Sequence, residues 1–215
     1  NFSIRNASSE LEDGKRILAF CDSQLEWLAQ VGSSAQWGLE PYSTNDDTQE
    51  KYRAFVERSE QDQSWSKEWK KSYIAELDIT EDQITKEIQP YLVHQPRTNS
   101  KSSLRLPVAA MLLTGHSEHY AQSILPEQDD QDPFIWIRYL LSDRRLGTLS
   151  KGAGLALIEH AKSVAQQMGI RRLCLDCWSG NDRKLVRYYE RHGFVSLGDV
   201  SHNDWPSAVL ELRLD

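Results

Sequence analysis

Between Leu149 and Gly154 the chain reads Leu149-Ser150-Lys151-Gly152-Ala153-Gly154 and runs directly into a helix-periodic segment. Leu157, Ile158, Ala161, Val164, Ala165 and Met168 recur at three-to-four spacing on one face, and Glu159, Lys162, Gln166 and Gln167 take the other. Gly169 stands where a left-handed residue would close the helix. A helix that starts on glycines leaves its first N–H groups unshielded by side chains, with the positive end of the dipole behind them. That is chemistry for holding a phosphate. A Rossmann loop is excluded, because Leu155, Ala156 and Leu157 follow where its third glycine belongs. A Walker loop is excluded too, because Lys151 precedes the glycine instead of following it. Small residues placed for close packing are the competing reading of the same pair.

Cys174 and Cys177 form a C-x-x-C, the second pattern with chemical potential. No second pair accompanies it, and residues three apart on a strand face opposite sides of a sheet. These thiols are therefore read as structural, and no metal site is expected. Three cysteines in a chain of 215 residues do not make a disulfide framework either.

The elements around the glycines give them a setting. Phe134 to Leu141 is rich in aromatic and branched residues and reads as a strand, so the order is strand, loop, Gly-x-Gly, helix. After Gly169 comes a second strand, Ile170 to Trp178, with Leu173 and Leu175 on one face. Asn181, a helix over Asp182 to Arg191 and the run Tyr188-Tyr189-Glu190-Arg191-His192-Gly193-Phe194 follow. Over residues 134 to 215 this succession resembles the GCN5-related N-acetyltransferase (GNAT) superfamily.

The resemblance implies an α/β GNAT-like acyl-CoA N-acyltransferase fold: a mixed, mostly antiparallel sheet flanked by helices, with splayed central strands. It implies acetyl-CoA as co-substrate, an amine as acceptor and direct attack of that amine on the thioester. The pyrophosphate would lie on Leu149, Ser150, Lys151, Gly152, Ala153 and Gly154, and Asn181 would border the cofactor arm. Leu149 stands where the family usually has Arg or Gln, and Arg144 and Arg145 lie a little earlier, so a longer loop with one of them substituting is expected. The strand at Phe134 to Leu141 would carry a β-bulge, and an N–H near Leu140 or Leu141 would meet the oxyanion. Four residues before Gly193, Tyr189 takes the position of the family's proton donor, and Tyr188, about 100° away around a helix, is expected to face elsewhere. For Asn181 a helix N-cap is the alternative role, and for Tyr189 a core tyrosine. Glu76, His116 and Asp176 are general-base candidates by residue type only.

Further upstream, Phe2 to Arg5 reads as a strand, Lys15 to Val31 as a helix, and Thr48 to about Gln61 as a charged helix burying Tyr52, Phe55 and Val56. By the same resemblance the helices and the loop between them form one wall of the acceptor pocket. Trp37 and Tyr42 are then the substrate-binding candidates, with simple core plugging as their alternative. Tyr73 to Leu77 and Val108 to Leu113 read as strands, Glu81 to Gln89 as a short helix, Gln95 to Ser103 and His116 to Asp132 as polar loops, and Phe194 to Leu197 and Ala208 to Leu212 as closing strands. The expected organisation is one domain over residues 1–215. Acceptor-side helices occupy about 9–72, an insertion about 80–105 and the acyl-CoA core about 134–215.

A formal net charge of −7 disfavours nucleic acid as a partner, since phosphate neutralisation wants a basic field. No apolar run approaches the roughly 20 residues of a membrane span, and no signal peptide is visible. A cytoplasmic protein is expected, with a small-molecule amine as acceptor; a homodimer is compatible with the pattern. The chain opens on Asn1, as expected if an upstream segment has been trimmed. Two other functions fit less of the pattern: a catalytically inactive GNAT-like acyl-CoA sensor, and an α/β interaction domain without cofactor.

Overall fold

The computed structural model describes residues 2–61, 63–95, 103–125, 128–202 and 204–215. Twelve elements organise them: β1 (Phe2–Asn6), α1 (Asp13–Gln30), α2 (Asp46–Glu60), β2 (Lys70–Ile79), β3 (Val93–Gln95), β4 (Ser103–Thr114), β5 (Phe134–Ser142), α3 (Ala153–Gln167), β6 (Arg172–Trp178), α4 (Lys184–Arg191), β7 (Val195–His202) and β8 (Trp205–Arg213). The sheet order is β1-β2-β4-β5-β6-β8-β7, with β3 added beside β4. Every pairing is antiparallel except β5 with β6.

The sheet is covered on both faces, which is why its central strands carry apolar residues on both sides. On one face α3 presents Leu157, Ile158, Ala161 and Ala165 to Met111, Ile135 and Leu173. Burial of each large side chain contributes roughly 1.5–3 kcal/mol. Val164 and Met168 complete that stripe half-buried, as the periodicity requires. Gly169, at φ 69°, ends the helix. Its N–H donates to the Gln166 carbonyl, and the Ile170 N–H reaches back to Ala165 at 2.9 Å, a full Schellman closure. On the other face α1 packs Ile17, Phe20 and Cys21 against Ile74, Ala110 and Leu141.

The decisive feature lies in the middle of the sheet. The pairing of β5 with β6 covers only Phe134–Ile137 against Arg172–Leu175 and then stops. Beyond it β5 stays paired with β4 as far as Ser142, and β6 with β8 as far as Trp178. The strands therefore diverge, as the resemblance implied. At the same level Leu112 faces Tyr139 while Leu113 faces Ile137, so Arg138 is an extra residue in β5. That is a β-bulge, which bends the strand and re-aims its side chains.

Two stretches depart from expectation. Glu81 to Gln89 forms no α-helix but two 3₁₀ turns, Glu81–Gln83 and Gln89–Tyr91. A Thr80–Gln83 capping box closes the first, and Ile88 alone is buried nearby, too little apolar surface to hold a longer helix. His116 to Asp132, expected as a polar loop, contains the turn His119–Ser123 and buries Ala121 and Leu125. Most of the polar loop expected over Gln95 to Ser103 falls on residues 96–102, outside the described residues; β3 before it is too short to show a period.

Candidate functional site

The diverging strands open into a cavity of about 1370 Å³ that runs from the start of α3 to the loop between α1 and α2. Single-ligand pockets usually fall near 300–1,000 Å³, so two reactants fit here at once.

At one end stands the glycine helix start. Gly152 adopts φ 90°, and no side chain caps α3. A Cβ on Gly154 would come within 3.2 Å of Leu140 Cδ2 and 3.4 Å of the Tyr188 hydroxyl, so only glycine leaves this cradle open. Ser150, Lys151, Gly152 and Gly154 line the cavity, joined by Gly147 and Thr148 just upstream. Leu149 and Ala153 do not: Leu149 projects to solvent and Ala153 is fully buried. The loop is longer than the motif alone implied. The segment Arg144–Ser150 winds through a 3₁₀ turn with a break at Gly147, and Ser150 Oγ donates back to the Gly147 carbonyl at 3.0 Å. Of the two arginines proposed as substitutes, Arg144 lines the cavity over the Trp27 ring, 3.7 Å from its centroid. Arg145 instead pairs with Asp143 at 2.7 Å and lies over Tyr91.

Electrostatics here run against the whole molecule. Among the described lining residues Lys51, Arg138, Arg144, Lys151, Lys184 and Arg191 are basic, and only Glu118 and Asp176 are acidic. Four of those cations sit on the loop into α3 or on α4. Such a site suits an anion of several charges.

In the middle, Leu140, Leu141 and Tyr189 line the gap. Groups of β5 past Ile137 that point away from β4 meet no strand across it. Tyr189 is buried, its ring edge-on to Phe194 at 5.6 Å. Desolvation first, then the neighbouring Cys177, Tyr188 and Asp176, pushes its phenol above the ordinary value. The phenol thus stays protonated, which a proton donor requires. Tyr188 was expected to face elsewhere, and the structure corrects this. Its hydroxyl points at Gly154, because a 100° turn around α4 leads from the middle of the cavity to the end at the start of α3. Asn181 also lines the cavity, but as part of a left-handed run, Asn181, Asp182 and Arg183, all with φ near 50°. The N-cap of α4 is Arg183, so Asn181 is not the cap.

The opposite end is aromatic. Trp37 and Tyr42 both line it, ring centroids 5.5 Å apart, with the Tyr42 hydroxyl donating to the Trp37 carbonyl at 3.1 Å. Trp205 crosses from the β7–β8 hairpin and donates its indole N–H to the Gln36 carbonyl at 2.6 Å, tying the hairpin to the same loop. Trp178 lies 5.6 Å from Trp205 with its own indole nitrogen buried and unpartnered among the described residues.

Of the base candidates only Asp176 reaches the cavity. Glu76 is held by Arg5 at 2.7 Å beneath β1, and His116 bonds the Lys67 carbonyl outside it. Asp176 Oδ2 accepts from Ser207 Oγ at 2.7 Å and from the Tyr120 hydroxyl at 3.0 Å. Burial raises its carboxyl above the usual range despite those two donors. Sequence reasoning missed Lys51, Glu118, Tyr120, Arg138, Trp178 and Trp205, since no local pattern marks a wall built from five distant segments. The cysteines behave as expected. Cys174 and Cys177 are free and buried on opposite faces of β6, and burial pushes the Cys177 thiol up to about 12. No group of three His, Cys, Asp or Glu among the described residues could hold a metal ion. Nor is any described helix long and apolar enough to cross a membrane.

No protein-family model and no curated protein matches the sequence. Solved structures do match the fold. A GNAT-family acetyltransferase from Listeria monocytogenes 4b F2365 superposes with a TM-score of 0.57 at 16% identity, over 99% of this chain and 95% of that one. The PaiA N-acetyltransferase of Thermoplasma acidophilum, solved with coenzyme A, gives 0.58 at 14% identity, over 99% of each chain. AAC(6')-Ib, solved with paromomycin and acetyl-CoA, gives 0.52 at 18% identity, over 99% and 93%. At such identities the likeness is one of fold: this chain is folded as GNAT acetyltransferases are.

Proposed function

We propose that the protein is an N-acetyltransferase that moves an acetyl group from acetyl-CoA to an amine of a small molecule by direct attack. The observation that carries this reading is the coincidence of three features in one cavity. They are an uncapped glycine helix end in a cavity lined by cations, a sheet that parts beside it, and a buried phenol in the gap. Gly152, Gly154, Ser150 and Lys151 hold the diphosphate through backbone N–H groups and charge, with Arg144 in place of the side chain that Leu149 cannot supply. Asn181 borders the arm. Unpaired β5 groups near Leu140 and Leu141 receive the pantetheine amides and, at the reacting carbonyl, the oxyanion. The amine attacks the thioester carbon, and collapse of the tetrahedral intermediate expels the thiolate. Tyr189 gives that thiolate its proton; the desolvation that holds the phenol protonated also makes the leaving thiolate more basic. Trp37 and Tyr42 wall the acceptor.

Thiol release from acetyl-CoA, followed across a panel of amines, tests the reading. Amine-dependent release with matching acetylated product is the expected result. Acetyl-CoA that binds without turnover over a broad panel would leave the inactive sensor as the better account.

A further inference from the structure

The acceptor end carries charges that coenzyme phosphates do not need. Lys51 of α2 and Arg138 at the β5 bulge flank one Phe55 ring, with Lys51 Nζ 5.9 Å and Arg138 Cζ 5.4 Å from its centroid. Both line the cavity, on the side of α2 and away from α4. Arg138 is partnered by Glu118 at 2.9 Å, while Lys51 has no ion-pair partner among the described residues. Desolvation first and then Arg138 lower the Lys51 pKa, and Glu118, already paired with Arg138, opposes them, so two cations share one carboxylate at this corner. On β6 the sign reverses. Tyr120 and Ser207 fix Oδ2 of Asp176, and no described side chain donates to Oδ1. Burial and, more weakly, Glu118 raise the Asp176 carboxyl, and no described cation pairs with it. Tyr120, stacked on His202 at 4.8 Å, lines the cavity beside Asp176.

We propose, resting on the acetyltransfer reading, that the acceptor is a zwitterion. Its ammonium lies at Asp176, and its own anionic group, a carboxylate of the α-amino-acid kind, lies between Lys51 and Arg138. Such a molecule relieves both imbalances at once. A polycation places like charge beside Lys51 and Arg138, and a simple amine leaves Lys51 without an ion pair. Attack requires the free amine, so one proton passes from the ammonium nitrogen to the Asp176 carboxylate before the N–C bond forms. The second proton, shed as that nitrogen becomes an amide, restores the phenol that Tyr189 spent on the thiolate, and nothing else is consumed.

The test compares kcat/KM for a panel of α-amino acids with that for their decarboxylated amines, at saturating acetyl-CoA. The amino acid is expected to lead its amine by about tenfold or more, as one satisfied charged contact contributes. Lys51→Met, at an exposed helix position that does not threaten folding, is expected to shrink that lead at least fivefold through KM. Equal or better turnover of the decarboxylated amines overturns the zwitterion while leaving acetyl transfer in place. So does a panel in which acetyl-CoA binds and no amino acid is acetylated. A failure of acetyl-CoA itself to bind in calorimetry takes down the acetyltransfer reading instead, and the zwitterion with it.

Discussion

The two ends of the cavity are built on different principles. On the proposed reading, the recognising groups at the cofactor end are backbone N–H groups presented by one contiguous segment, Ser150 to Gly154, and fixed by the helix that follows. At the acceptor end they are side chains brought together from α2, the turn at His119–Ser123, the β5 bulge, β6 and the β7–β8 hairpin. Backbone recognition tolerates change at the side chains, which is why Leu149 can project to solvent without closing the site. Side-chain recognition tolerates little, so on the proposed reading specificity resides at the acceptor end.

The largest effect expected along this contrast falls at the junction of the two ends. Tyr189→Phe should lower turnover about tenfold or more while leaving acetyl-CoA affinity intact. Tyr188→Phe should weaken acetyl-CoA binding instead, because its hydroxyl points at Gly154. Reversed outcomes in steady-state kinetics and calorimetry would exchange the roles of the two tyrosines. A smaller effect is expected at the aromatic strap. Trp205→Phe keeps the ring but removes the 2.6 Å bond to the Gln36 carbonyl. A net loss of about 1 kcal/mol raises the acceptor KM about fivefold, with acetyl-CoA affinity unmoved.

The smallest effect concerns stability. Burial raises the Asp176 carboxyl above its ordinary 3.8, so the folded chain holds that proton more tightly than the unfolded chain does. Raising the pH through that window ionises a buried group and lowers stability. Asp176→Asn still offers Tyr120 and Ser207 an oxygen acceptor. Its thermal midpoint should therefore match the wild type as the pH falls towards 3.8 and exceed it at neutral pH by roughly 2 °C, while turnover falls. A variant less stable than wild type at neutral pH would mean that the charge is compensated and Asp176 is structural.

The same contrast explains what could be read from the residues alone. The α3 stripe from Leu157 to Ala165, its closure at Gly169 and the β6 alternation through Leu173 and Leu175 are local periodicities, and the structure follows them. Trp37 and Tyr42 do line the cavity. Glu118 and Tyr120 escaped notice because they sit in a segment whose composition reads as solvent-exposed loop; only the burial of Ala121 and Leu125 pins it beneath β7. Arg138 gains its meaning from a bulge, which is a register fact between two strands and has no signature within one. Asn181 is a good helix cap by type, yet a left-handed run of three residues moves the start of α4 past it.

The central claim is that backbone at the start of α3 holds the coenzyme, and a calorimetric titration of acetyl-CoA into wild type and Gly152→Asp tests it most directly. Aspartate at this φ of 90° is strained and sets a negative charge against the diphosphate. Saturable one-to-one binding by the wild type, weakened about 100-fold or more in the folded variant, is the result this account expects. Undiminished binding by the variant, or none by the wild type, would contradict it.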